Sequence, residues 1–292
     1  MKKIIILSLC VMAVVACTNS NKITEITENL RFCEGTLSYD GGLLISNFGG
    51  EELNPLNTDG KGYIAFLKDD KVSVLIPPSG ILSAPKGLAV KDNHLFIADV
   101  NKVVVYDLDS LAISPQVITF PAEDLFINAL AIDKDTMYVT VTNTGHIYSL
   151  DVSDVKDVAY QLPVLFADVV GANGIVVDGE KIYVASYPAD GVTKDENTIY
   201  VLTKNGDGVV TEKLIERAGQ YDGLVLSKDK KHLYFSSWVD GEIGKIALEN
   251  GEVDLFVNDI APVGPAAMSL LGDDKLAVPD LPNSKVLIVP IK

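Results

Sequence analysis

The chain has 292 residues, 40 acidic against 24 basic side chains, a net charge of −16 and only three cysteines. No run of Lys or Arg is long enough to form a phosphate-binding stripe, which argues against nucleic acid as a partner; the acidity reads as solubility outside the cytoplasm. The length suits one large domain.

Residues 1–17 have the form of a targeting segment. Lys2 and Lys3 give a basic end, an apolar run follows, and Val14-Val15-Ala16-Cys17 is a small-residue cleavage site ending in Cys. This resembles a bacterial lipoprotein signal, so residues 1–16 are expected to be removed and Cys17 to carry a lipid that holds the protein to the membrane. A plain secretory signal or a short membrane anchor is the alternative, although the run is shorter than the ~20 residues a spanning helix needs. Residues 17–21 then serve as lipidated Cys and polar tether. Thr18 in place of Asp after the Cys points to the outer rather than the inner membrane. Cys10 lies in the signal and Cys17 at the lipid site, leaving Cys33 as the lone thiol of the domain. No internal disulfide and no two-Cys zinc site can then form.

Residues 22–292 are organised by a repeat. In GANGIVVDGEKIYVASY (171–187), a polar residue precedes a Gly, an apolar run follows, an Asp-Gly turn reverses the chain, and a second alternating strand returns. Gly35, Gly87, Ala129, Gly174, Gly223 and Ala267 hold the same place in six such hairpins, at intervals of about 42 to 52 residues. A strand-and-turn repeat of that length marks a propeller blade, and six copies predict an all-β, six-bladed β-propeller with four strands per blade. Third strands recur as KVVVYDL and GHIYSL, and fourth strands as PQVITF and YQLPVLF. The sixth blade runs out after its third strand. The alternating segment 22–28 (KITEITE) is therefore expected to pair with residues 284–291 and close the ring, removing an exposed edge.

Connections such as Asp99-Val100-Asn101 and Asp280-Leu281-Pro282-Asn283 use turn-forming residues and read as structural. The longest departure from the repeat, residues 187–197, is either a solvated loop or a lid. His94, His146 and His232 share no spacing and are expected at the surface. Trp238, Tyr183 and Tyr234 are expected to pack between blades.

One position per blade carries the chemistry. Inner strands line the axis of a propeller, so the residues just before the repeat Gly or Ala form a ring: Glu34, Lys86, Asn128, Asn173, Asp222 and Ala266. Two carboxylates and two amide oxygens, with no His or Cys, suit a hard divalent cation that keeps some of its water, calcium first. Without a cation, Glu34 and Asp222 would repel and one would take up a proton. The alternative is that these side chains only satisfy backbone groups at strand entrances.

At these motifs the chain resembles the senescence-marker-protein, gluconolactonase and luciferin-regenerating-enzyme family of six-bladed propellers. Cys33-Glu34-Gly35 is similar to that family's Glu-Gly-Pro, Ala172-Asn173-Gly174 to its Pro-Asn-Gly, and Tyr221-Asp222-Gly223 to its Pro-Asp-Gly. The resemblance implies Glu34, Asn173 and Asp222 as metal ligands, and Asn128 as a contact to water or substrate. It departs where the family's substrate-holding Arg falls on Phe126 and the next Asp on Ala129, so a sugar-acid lactone loses its expected polar anchor. The related paraoxonase-type lactonases place a catalytic His where this chain has Lys86, which reads either as an anchor for a substrate anion or as a salt bridge to Glu34 or Asp222. The implied activity is a divalent-metal-dependent ester or lactone hydrolase at the cell envelope, with Asp222, Asn128 and Lys86 at the reacting centre. A non-catalytic envelope propeller, with a structural metal or none, is the rival; an NHL-type scaffold is a third. A monomer is expected.

Overall fold

The computed structural model describes residues 22–206, 208–256 and 262–291. The expected signal, lipid site and tether (1–21) lie outside the described residues. Six antiparallel sheets of four strands are arranged as the blades of a propeller, with two single-turn 3-10 helices among the described residues. Blade one is typical: Cys33–Tyr39, Gly42–Asn47, Tyr63–Lys68 and Lys71–Ile76 follow one another as a meander. The alternating pattern and tight turns of the repeat produce this directly, because each turn places the next strand beside the last. Asp178 and Gly179 show it in blade four, where Gly179 at φ 62° takes the left-handed conformation the reversal requires.

Blade six is closed by the amino-terminal segment. Thr24–Ile26 pairs with Lys285–Pro290, in the register Thr24 to Ile288, Glu25 to Leu287 and Ile26 to Val286. The expected strap is therefore present. Its inner hairpin, Ser269–Leu271 with Lys275–Asp280, is locked to blade one where the Thr36 amide donates to the Ala267 carbonyl and the Ala267 amide to the Glu34 carbonyl, both at 3.0 Å.

The core lies between blades. Phe96, Val103 and Val105 of blade two pack with Ile127, Val139 and Leu150 of blade three, all buried, and comparable clusters fill the other seams. Each such side chain contributes about 1.5–3 kcal/mol of burial. Tyr183 and Tyr234 belong to these seams, as expected. Cys33 is buried, its thiol donating to the Lys285 carbonyl at 3.2 Å, and burial raises its pKa far above that of a reactive thiol.

Four expectations need correction. The longest loop is not 187–197 but the connection between Gly42–Asn47 and Tyr63–Lys68 in blade one. Its Gly, Pro and Asn content masked its length, because such residues also punctuate the repeat. His94 is buried in an inner hairpin, its Nδ1 2.8 Å from the Asp92 carbonyl, rather than at the surface. The fourth strand of blade three starts only at Val164, after a 3-10 turn over Val158–Tyr160, since Pro163 cannot donate to a ladder. Trp238 does not serve only as packing: it also lines the axial cavity.

Candidate functional site

Each inner strand of blades one to five carries the same irregularity. The register slips by one residue between Cys33 and Thr36, Pro85 and Leu88, Ile127 and Leu130, Ala172 and Ile175, and Tyr221 and Leu224. Two residues thus face one across the hairpin, a β-bulge, and the first of the two is the ring residue. The polar-residue-then-Gly motif is the sequence form of this bulge. It turns Glu34, Lys86, Asn128, Asn173 and Asp222 out of the ladder and toward the axis, where all five line one cavity of about 350 Å³. Ala266 fills the sixth place and is buried.

A second feature holds the ring together. Opposite the bulge in blades one, three and five stands a hydroxyl: Ser46, Thr140 and Ser236. Each accepts from the bulge amide (Gly35, Ala129 and Gly223, at 2.8, 3.0 and 2.7 Å). Each also donates to the ring carbonyl of the next blade (Lys86, Asn173 and Ala266, at 2.7, 2.6 and 3.0 Å). Three small side chains, unremarked in the sequence, thereby tie neighbouring ring positions together.

The electrostatics of the cavity floor are unusual. Glu34, Asn128, Asn173 and Asp222 are 2–6% exposed, and Glu34 Oε2, Asn128 Oδ1, Asn173 Oδ1 and Asp222 Oδ1 have no hydrogen-bond partner. Buried polar atoms are almost always paired, and each orphan costs about 1–3 kcal/mol. Four orphaned oxygens, all from the predicted ring, do not fit the reading in which they merely satisfy strand ends. For Asn128 the orientation follows from its amide, which donates to Thr142 Oγ1 at 3.1 Å and leaves Oδ1 free.

Burial raises the pKa of Glu34 well above the usual carboxylate range, and the Asp222 charge adds to the rise while Lys86 opposes it. Asp222 is pushed up to about 7 by burial, with the Asn173 amide opposing the shift. Lys86 is lowered to about 8 by burial, opposed by the charges of Glu34 and Asp99. Tyr187, at the cavity wall, is raised to about 12 by burial and by Asp222, so its phenol stays protonated. The acids are thus held closer to neutrality than the same groups in water, as expected when like charges share a desolvated site.

Lys86 forms no salt bridge to Glu34 or Asp222 within 4.0 Å among the described residues. Its ammonium donates to the Ala84 carbonyl at 2.9 Å and lies over the rings of Phe48 and Phe126, at 5.6 and 5.2 Å from their centroids. The aromatic faces partly replace its lost hydration.

The ring fits a hard cation in donor type: oxygens only, two of them carboxylate, and unpartnered. Among the described residues no three His, Cys, Asp or Glu side chains gather as a zinc or iron centre would require. The Asp99 and Asp280 turns are structural, since the Asp99 carboxylate accepts from the Ser83 and Ala84 amides and Asp280 from those of Val263 and Gly264. Most of the remaining wall is apolar, with Phe48, Leu53, Phe126, Trp238 and Leu281, while Tyr187 and Asp190 add polar groups toward the rim.

Fold and site together define a six-bladed propeller whose axis holds a small oxygen-donor pocket under mostly apolar walls. Among solved structures it is similar to a gluconolactonase from Xanthomonas campestris (TM-score 0.70, 14% identity, 93% of this chain and 90% of that one). It is also similar to a structural genomics protein of unknown function from Bacteroides thetaiotaomicron (TM-score 0.63, 13% identity, 93% and 72%). A virginiamycin B lyase from Staphylococcus aureus, with quinupristin, aligns over 93% of this chain and 99% of its own (TM-score 0.59, 13% identity). No family model and no curated protein matches the sequence. At these identities the likeness is one of fold, and function has to be argued from the site.

Proposed function

We propose that the protein is a divalent-cation-dependent hydrolase of esters or lactones, held at the cell envelope by a lipid on Cys17. The observation that carries this reading is the set of four unpartnered, buried oxygens around one cavity. Glu34, Asn173 and Asp222 would hold the cation, calcium by preference for oxygen donors. When bound, such a cation polarises a carbonyl and favours negative charge on its oxygen.

The chain's own groups supply the rest. Asp222, which a bound cation would keep ionised, takes a proton from water as the water oxygen bonds to the carbonyl carbon. Asn128 Oδ1, its amide fixed by Thr142, accepts a hydrogen bond from that water and orients it. Lys86 has one ammonium hydrogen on Ala84 and offers the others to the carbonyl oxygen that gains charge. The acyl–oxygen bond then breaks, and the alcohol leaves with the proton returned from Asp222. The fold shared with a gluconolactonase and with a virginiamycin B lyase solved with quinupristin supports a small-molecule ligand for this propeller.

The test begins with the divalent metal content of the purified protein. Hydrolysis of a lactone and ester panel is then followed before chelation, after it, and after calcium is restored. Chelation should abolish turnover and calcium restore it, and Asp222→Asn should lower kcat by about 10²–10⁴-fold. Metal bound tightly with no turnover would instead mark a binding module, and protein that never takes up metal would remove the cation from both readings.

A further inference from the structure

The floor of the axial cavity is polar and its walls are mostly apolar, and the difference bears on what the site accepts. Phe126 enters from blade three, Phe48 and Leu53 from blade one and its long loop, Trp238 from blade five, and Leu281 from blade six. Phe48, Leu281 and Trp238 belong to one packed cluster, so this part of the wall is held rigid from behind.

The polar groups at the rim are few, and two of them already hold a partner. Asp190 accepts from the Val192 amide at 3.0 Å and from Lys194 at 3.2 Å, and the Gly191 carbonyl accepts from Gln220 at 3.0 Å. The Tyr187 hydroxyl and the Trp238 indole N–H are the wall groups left to meet a ligand hydroxyl. A substrate carrying several hydroxyls would bury most of them against rings and aliphatic side chains, with few groups to pair them.

Resting on the hydrolase reading of the same site, we propose that the substrate is a lactone or ester with a bulky apolar, preferably aromatic, substituent on the reacting carbonyl's ring or acyl chain. Its carbonyl faces Glu34, Asn128, Asn173 and Asp222, and its substituent lies against Phe126 and Trp238. A cavity of about 350 Å³ has room for about a dozen non-hydrogen atoms, taking the share of a water molecule for each. A phenyl-substituted six-membered lactone, at roughly 13 non-hydrogen atoms, is about that size.

The test uses the purified, calcium-loaded protein and two δ-lactones of equal ring size, one phenyl-substituted and one polyhydroxylated. The phenyl lactone should show kcat/KM at least about tenfold higher. Phe126→Arg, at a half-buried position, should shrink or reverse that ratio, and Leu53→Glu in the exposed loop should shrink it as well. Equal or better turnover of the polyhydroxylated lactone would overturn the proposal and leave the hydrolase reading intact.

Binding is read separately, because Trp238 is the single tryptophan of the chain and lines the cavity. The phenyl-substituted lactam, which resists hydrolysis, should move Trp238 emission to shorter wavelength, and the polyhydroxylated lactam should not. This preference with no turnover of either lactone would sink the hydrolase reading while supporting an apolar ligand. Emission unchanged by the phenyl lactam, in wild type and variants alike, would overturn the apolar assignment.

Discussion

Gly174 illustrates how much of the site depends on a missing side chain. A Cβ there would stand 2.1 Å from the Asp222 carbonyl oxygen, and one on Gly35 would stand 2.4 Å from that of Lys86. At these two positions only glycine lets the next blade's ring carbonyl come so close. In Gly174→Ala the Asp222 backbone must withdraw, at about 1–3 kcal/mol of overpacking, and carry the carboxylate away from Asn173. The variant should melt at a lower temperature and bind calcium more weakly in a calorimetric titration. Unchanged calcium affinity alongside reduced stability would mean that the ring does not act as one site. At the same scale, Ser46, Thr140 and Ser236 show why a hydroxyl faces the bulge: it accepts one amide and donates to one carbonyl in a place where water does not reach.

Among the elements, the short strand Thr24–Ile26 has an effect out of proportion to its length. It covers the outer edge of Lys285–Pro290, and Ile26 packs on the cluster containing Cys33, Leu43, Val286 and Ile288. Deleting residues 22–28 uncovers the backbone donors and acceptors of that edge, a template for pairing with another chain. The truncated protein should melt earlier and elute as concentration-dependent oligomers in size-exclusion chromatography. If it stays monomeric with an unchanged melt, ring closure through this strand contributes little to stability. The loops are elements of a different kind: the blade-one connection brings Leu53 and Pro55, and the blade-four connection Tyr187 and Ala189, to the rim of one cavity.

For the molecule as a whole, the ring couples stability to pH and to cations. Asp222, at about 7 in the folded chain, binds its proton more tightly than it would unfolded, and Glu34 shifts in the same direction. The stability that comes from holding these protons is complete below the ordinary carboxylate range of about 4 and is lost as pH rises through about 7. A cation competes for the ionised form, so its stabilisation should grow over the same interval. In chelator, the melting temperature should therefore fall between about pH 5 and pH 8, and calcium should raise it more at the upper value. A calcium-induced shift that is the same at both pH values would place the cation away from these carboxylates.

Much of this architecture was already legible in the chain. Strand alternation and turn chemistry are local properties, so the six hairpins, the strap at 22–28 and the ring residues Glu34, Lys86, Asn128, Asn173 and Asp222 could be located from their own neighbours in sequence. What tertiary structure alone decided depends on residues far apart in the chain. The long blade-one loop and Trp238 share a wall, Thr142 sets the Asn128 amide, and Phe48 and Phe126 flank Lys86 where a salt bridge was one expectation. No spacing encodes these contacts, because each is created only when neighbouring blades pack and bring their inner strands to a common axis.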